Sequence, residues 1–283
     1  MVRTLTELMK ISIVTPSFNQ SGYLGIAVES VLDQHYPAVE HIVLDNCSTD
    51  GTLDVLRSYP HLRWSSQPDH GQSDALNQGL RLAGGDIIGW LNADDRYLPG
   101  CFQTVAAIFR DRPEVDLVFG DFRWVDSHGR VLRRRREIDF DLFILKYLHV
   151  LYVPTAATFV RQRVISQGFL LDPSYHFAMD YEWFLRMALG GVKFAHVRSY
   201  LADFRIHPAS KTALAAHRQR AEQEKALLAL TPSLRRMPPG LRVALRLGLM
   251  GAARAKRSCK KLWGGCYLEM PWRRPPAGSQ TGA

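Results

Sequence analysis

Short apolar runs alternate, through the first 125 residues, with longer stretches in which apolar side chains recur every three or four positions. The runs predict strands at Ile11–Thr15, His41–Leu44, Leu62–Gln67, Asp86–Leu91 and Leu117–Val125. The amphipathic stretches predict helices over Gly22–Gln34, Ser48–Tyr59, Ser73–Ala83 and Gly100–Arg110. Ser48, Thr49 and Asp50 read as capping residues, and Gly84-Gly85 and Pro113 as stops. Strands alternating with helices at this spacing specify an α/β fold, a Rossmann-like, mostly parallel sheet covered by helices on both faces. Such sheets hold their ligands at the carboxyl ends of the strands.

Beyond Phe140 the pattern loosens. It predicts helices near Asp139–His149, Asp180–Leu189 and Leu214–Leu230, and short strands at Lys193–His196 and Tyr200–Ile206. The basic run Arg133 to Arg136 follows the turn Ser127-His128-Gly129 and reads as a solvated hairpin arm. Thr231-Pro232 and Pro238-Pro239 mark a boundary, so the expected division is a domain over residues 1–232 and a tail over 233–283.

Charge sharpens that division. The 283 residues carry a formal net charge of +9. From Ser233 onward there are eleven basic residues and one acidic residue, Glu269, so the whole surplus belongs to the tail. A nucleic-acid enzyme carries its basic footprint on the catalytic domain, and the near-neutral first 232 residues argue against such a partner. Within the tail, Leu241–Trp263 winds as a helix with a basic arc and a mostly apolar opposite face. Two expectations stand for it: peripheral contact with an anionic membrane, or docking on the domain with the basic face exposed. Four cysteines without CxxC or zinc spacing, no signal peptide and no membrane-spanning run indicate a cytoplasmic chain, with the inner face of the cell membrane as the alternative position.

The strand ends carry the chemistry. Strand one ends in Thr15-Pro16-Ser17-Phe18-Asn19, strand two in Asp45-Asn46-Cys47-Ser48, and strand four in Asn92-Ala93-Asp94-Asp95. Some of these acids suit helix caps and turns, Asp50 above all. An apolar strand that delivers adjacent carboxylates to a sheet edge suits Mg²⁺ or Mn²⁺. There is no GxxxxGK[ST] and no GxGxxG after strand one, which excludes a P-loop and counts against a dinucleotide enzyme.

The ordered segments TPSFNQSGYLGIAVESVLDQ, VLDNCSTDGT, GQSDALNQGL with LAGGDIIGWLNADD, and MDYEWFLRMALGG resemble a family 2 glycosyltransferase with the GT-A fold. The similarity covers about residues 10–210. It implies transfer of a sugar, with inversion, from a nucleotide-sugar donor, with UDP as the expected nucleotide, to a hydroxyl of a saccharide or lipid-linked acceptor in cell-surface polysaccharide or glycolipid assembly. By position, Thr15, Pro16 and Phe18 match the loop that borders the nucleobase, and Asp45 the acid that contacts uracil or ribose. Asn92-Ala93-Asp94 matches the DxD motif, with Asn92 toward the ribose and Asp94 on Mn²⁺ or Mg²⁺. Asp180 matches the catalytic base. His207 resembles a histidine that reaches the metal or diphosphate, and Asp74 is a further donor-site candidate, or else a helix N-terminal acid.

Departures from the pattern are Asn92 for the first acid of DxD, Asn46 and Cys47 in the second motif, and Leu76 where many members carry arginine. They leave one rival open, a degenerate transferase serving as a membrane-associated scaffold. A nucleotidyltransferase is the other, and it lacks the glycine-rich basic loop expected near the N-terminus.

Overall fold

The computed structural model describes residues 8–148, 152–207 and 216–266. Strands β1 (Ile11–Ser17), β2 (Val39–Asp45), β3 (Arg63–Ser66) and β4 (Ile87–Trp90) form the parallel part of one sheet, in the order β3-β2-β1-β4. Helices α1 (Ser21–Leu32), α2 (Thr52–Arg57) and α3 (Gln72–Leu82) connect them. Two-residue β5 (Arg96–Tyr97), α4 (Cys101–Asp111), β6 (Leu117–Val125) and β7 (Val131–Arg135) follow. Next come α5 (Leu142–Leu148), a 3₁₀ turn at Thr155–Ala157, β8 (Thr158–Arg161), α6 (Gln162–Ser166), α7 (Met179–Leu189) and β9 (Phe194–Arg205). Three helices close the described chain: α8 (Ala216–Leu230), α9 (Pro232–Arg235) and α10 (Pro239–Trp263). Beyond β4 the sheet continues β8-β6-β9-β5, with β8 antiparallel to both neighbours and β6 parallel to β9.

Strands β1 and β4 are buried along nearly their whole length, which explains their continuous apolar runs. Helix α3 lies so close to β1 that a Cβ on Gly79 would stand 2.3 Å from the Val14 side chain, so only glycine fits there. The chain moves outward from β1 to β2 and β3, then returns to β4 on the other side of β1. The ends of β1 and β4 therefore flank the crevice where the winding direction reverses.

Several expectations need correction. The second helix begins at Thr52 rather than Ser48, because the Ser48 amide and hydroxyl turn back onto Asp45. Cys47 at φ 50° and Gly51 at φ 90° carry the chain through that loop. The two short strands expected near 193–206 are one strand, β9, since β6 pairs with it from Phe194 to Arg205 across irregularities at Gly120–Phe122. Strands β5 and β8 were not foreseen. The arginine arm is strand β7 paired with β6, yet Arg135 is folded inward, its guanidinium 4.8 Å from the Trp124 ring centre and bonded to Glu137. His149, Leu214 and Ala215, expected at helix ends, lie outside the described residues, as does the tail from residue 267.

Helix α10 docks on α5, but with the polarity opposite to the docked arrangement expected from its sequence. Arg257 and Lys261 reach buried Glu137, Lys256 and Lys260 reach Asp141, and Arg246 reaches Glu224 of α8. The basic arc is the packed face. Among the described residues no helix is long and apolar enough to cross a membrane, and the cysteines are free thiols.

Candidate active site

A cleft of about 570 Å³ opens at the carboxyl ends of β1, β2 and β4 and is closed on its far side by α7, the end of β9 and Gln219 of α8. Its near wall starts where β1 ends. Pro16, Ser17, Phe18 and Asn19 line it, and Phe18 is 56% exposed, an aromatic side chain held open at a cleft edge. Asn19 stands at φ 52° and its amide donates to the Ser48 hydroxyl, which ties this loop to the end of β2. Asn46 also faces the cleft, and its carboxamide oxygen accepts the Asp69 amide at 3.0 Å. Asp69 in turn accepts the Gly71 amide at 2.7 Å, which fixes the entrance to α3.

At the end of β4, Asn92 is bonded through both atoms of its carboxamide. Its oxygen accepts from Gln72 at 3.0 Å and from the Trp90 indole at 2.8 Å, while its amide donates to Asp95 at 3.0 Å. A carboxylate at position 92 could take the first two bonds but not make the third, and it would stand against Asp95. Asp95 is buried, and that burial, with the Asp94 charge beside it, pushes its carboxyl well above the usual carboxylate range. Asparagine at 92 is therefore matched to its neighbours.

Asp94 remains open to the cleft, and across it His207 Nε2 stands 3.0 Å from Asp94 Oδ2. The imidazole lies against the Tyr23 ring, their centres 5.2 Å apart. One buried cation, Arg205, fixes this corner. Its amide donates to Asp95 at 2.9 Å, its Nε to the Asp94 carbonyl at 2.8 Å and its Nη1 to the Asp126 carbonyl at 2.9 Å, with the guanidinium over the Tyr23 ring. No group of three or more metal-ligating side chains occurs among the described residues. The Asp94–His207 pair still fits a Mg²⁺ or Mn²⁺, because such ions keep most of their positions for phosphate oxygens and water.

On the opposite wall, Asp180 sits in the first turn of α7 and accepts the Tyr181 amide at 2.7 Å. The chain bends through His176–Ala178 on its approach to that turn and wraps around one carboxylate from α8. Glu222 accepts the amides of His176, Phe177 and Ala178 at 2.7–3.1 Å. It meets the positive end of α7 and fixes the backbone leading into Asp180.

Glycosyl transferase family 2 matches residues 12–185 of the chain, the span that holds both walls up to Asp180. The chain belongs to that family. An uncharacterised glycosyltransferase of Nostoc sp. is 26% identical over 290 residues, covering 93% of this chain and 89% of that one. Among solved structures, Staphylococcus aureus TarS 1–349 in complex with UDP-GlcNAc is similar with a TM-score of 0.65 at 17% identity, covering 83% of this chain and 69% of that one. The mannosyltransferase PcManGT of Pyrobaculum calidifontis, in complex with GDP-Man and Mn²⁺, is similar with a TM-score of 0.61 at 19% identity, over 93% of this chain and 81% of that one. These likenesses identify the fold as GT-A.

With this fold, the residues expected from sequence separate into three groups. Pro16, Phe18, Asn92, Asp94, Asp180 and His207 line one cleft. Thr15 and Asp45 lie just beneath it. The Thr15 hydroxyl meets buried His41 at 2.9 Å, and the Asp45 carboxylate accepts from Ser48 and, at 2.7 Å, from Ser66. Asp74 sits in the first turn of α3, accepting the His70 amide at 3.1 Å. Sequence reasoning missed Trp90, Arg205 and Glu222. Arg205 lay two residues before a residue already singled out, whereas nothing in the polar pattern of α8 distinguishes Glu222 from its neighbours.

Proposed function

We propose that this glycosyltransferase moves a sugar from a nucleotide-sugar donor, a UDP-sugar first among them, to a hydroxyl of a saccharide or lipid-linked acceptor, with inversion. The observation that carries the reading is the facing of Asp94–His207 and Asp180 across one open cleft. In this assignment residues 1–232 are the catalytic domain and 233–283 an appended tail. The setting we propose is cytoplasmic, in cell-surface polysaccharide or glycolipid assembly.

Donor binding falls to the near wall. Phe18 and Pro16 offer an apolar edge to the nucleobase, and the amide N–H of Asn92 that its three bonds leave over is offered to the ribose. Asp94 and His207 would hold Mg²⁺ or Mn²⁺. A bound divalent ion neutralises charge that gathers on the diphosphate as it leaves. Asp180 accepts the proton of the acceptor hydroxyl as its oxygen attacks the anomeric carbon from the face opposite the leaving group. The bond from that carbon to the diphosphate oxygen breaks, and its electron pair leaves with the nucleoside diphosphate. General-base assistance of this kind contributes typically about 10²–10⁴-fold.

Asn92 and Asn46 gave the scaffold reading its only support, and both side chains are committed to bonds that shape the cleft. The test is turnover of a panel of UDP-, GDP- and TDP-sugars with and without Mn²⁺. Slow hydrolysis of one donor by the folded protein is the expected result. Absence of turnover and of binding across the panel would refute transfer.

A further inference from the structure

Helix α10 presents to solvent a face that its own charges cannot satisfy. Leu241, Leu245, Leu262 and Trp263 share that face with intervening alanines and glycines, and every residue along it is exposed. Leu241 and Leu262 are 60% and 65% exposed and Trp263 is 95% exposed. No Lys, Arg, Asp or Glu interrupts this stripe, which runs the length of a helix about 37 Å long. The charges one expects on the solvent side are instead spent beneath it, on Glu137, Asp141 and Glu224. An apolar stripe this long is costly in water and marks an interaction surface.

Charge around the stripe points to one occupant. Exposed Arg254 flanks it on one side, and half-exposed Lys256, whose ammonium also meets Asp141, on the other. The sequence then continues through Tyr267, Trp272, Arg273 and Arg274, residue types that favour the boundary between water and lipid. A protein partner would have to match a flat stripe with a cationic rim. A bilayer with anionic headgroups does so without any specific shape.

We infer that α10 lies along an anionic bilayer with its apolar face in the headgroup region and its basic face clamped to the domain. The helix thereby fixes the orientation of the domain on the membrane, since Glu224 of α8 is tied to Arg246 while Gln219 of the same helix lines the cleft. The inference does not depend on which sugar is transferred, and vesicle binding is read without turnover.

The experiment uses the full chain with vesicles of pure phosphatidylcholine and of equal parts phosphatidylcholine and phosphatidylglycerol. Sedimentation should show binding at least about tenfold tighter to the anionic vesicles. The triple variant Leu241→Asp, Leu245→Asp, Leu262→Asp replaces only exposed side chains, and should weaken that binding by about tenfold or more while leaving the melting temperature and donor binding unchanged. Cys259, exposed on the same stripe, should react readily with a maleimide in free protein and be protected on anionic vesicles, with exposed Cys47 as the unprotected reference. Failure to sediment with anionic vesicles would overturn the inference, as would wild-type binding by the triple variant. So would a Cys259 already shielded in vesicle-free protein, which would mean that the chain itself or a second copy covers the stripe.

Discussion

The two walls of the cleft are built in different ways. The wall proposed for the donor consists of strand ends, and several of its side chains are held by neighbours a few residues away or on the adjacent strand, as Asp45 is by Ser48 and Ser66 and Asn92 by Trp90 and Asp95. The opposite wall is a helix start, and it is held from far along the chain by Glu222, some forty residues on. Arg205 joins the two kinds of support, since it comes from a distant strand to grip the backbone of Asp94. The opposite wall depends on whether α8 is in place, so under the proposed roles it is the wall where catalysis is expected to be lost while donor binding survives.

The sharpest way to break this comparison is Asp180→Asn. Turnover should fall by about 10²–10⁴-fold, with donor affinity within about threefold of wild type, by steady-state kinetics and calorimetry. Next is Arg205→Met, which removes a buried cation bonded to three carbonyl oxygens and stacked on Tyr23. It should cost about 3 kcal/mol or more in denaturant unfolding, together with weakened donor binding.

Smaller is Glu222→Gln, which keeps the shape but weakens the acceptor for the amides before α7. The expected loss is about 1–2 kcal/mol of stability, and kcat should fall several-fold with an unchanged donor dissociation constant. A merely structural role would leave kcat per folded molecule as it was.

The last prediction concerns His41 and leaves the cleft chemistry aside. Burial, reinforced by His61, pushes its pKa down to about 3, so it is neutral where it meets Thr15. A histidine depressed in the folded state stabilises fully above its unfolded pKa of 6.5, and that contribution is lost as pH falls toward 3. Between pH 6.5 and about 5 the unfolding free energy should drop with a slope approaching 1.4 kcal/mol per unit, and the slope should flatten in His41→Gln.

The same contrast explains what could be read from sequence. Strands β1, β2, β4 and β6 were legible because burial on both faces writes itself as short apolar runs, Ile42–Leu44 in β2 and Leu117–Phe119 in β6 among them, and the strand-end residues followed from the topology rule. The resemblance supplied Asp180 and His207, which no local pattern marks. Strand β8 and the continuity of β9 were missed because pairing with β6 gives them their form, and pairing is not local. The start of α2 was misplaced because Ser48 has two uses, capping a helix or holding Asp45, and sequence does not choose between them. On α10 the amphipathic pattern was read correctly, but not which face is packed, since that is decided by Glu137 and Asp141 more than a hundred residues earlier.

The most direct test of the central claim is donor binding and turnover measured side by side in wild type, Asp94→Ala and Asp180→Asn, with and without Mn²⁺. The account predicts metal-dependent binding that Asp94→Ala abolishes and Asp180→Asn keeps, with turnover lost in both. Donor binding that is indifferent to Asp94 and to metal, or lost equally in Asp180→Asn, would contradict the division of the cleft into a donor wall and a base wall.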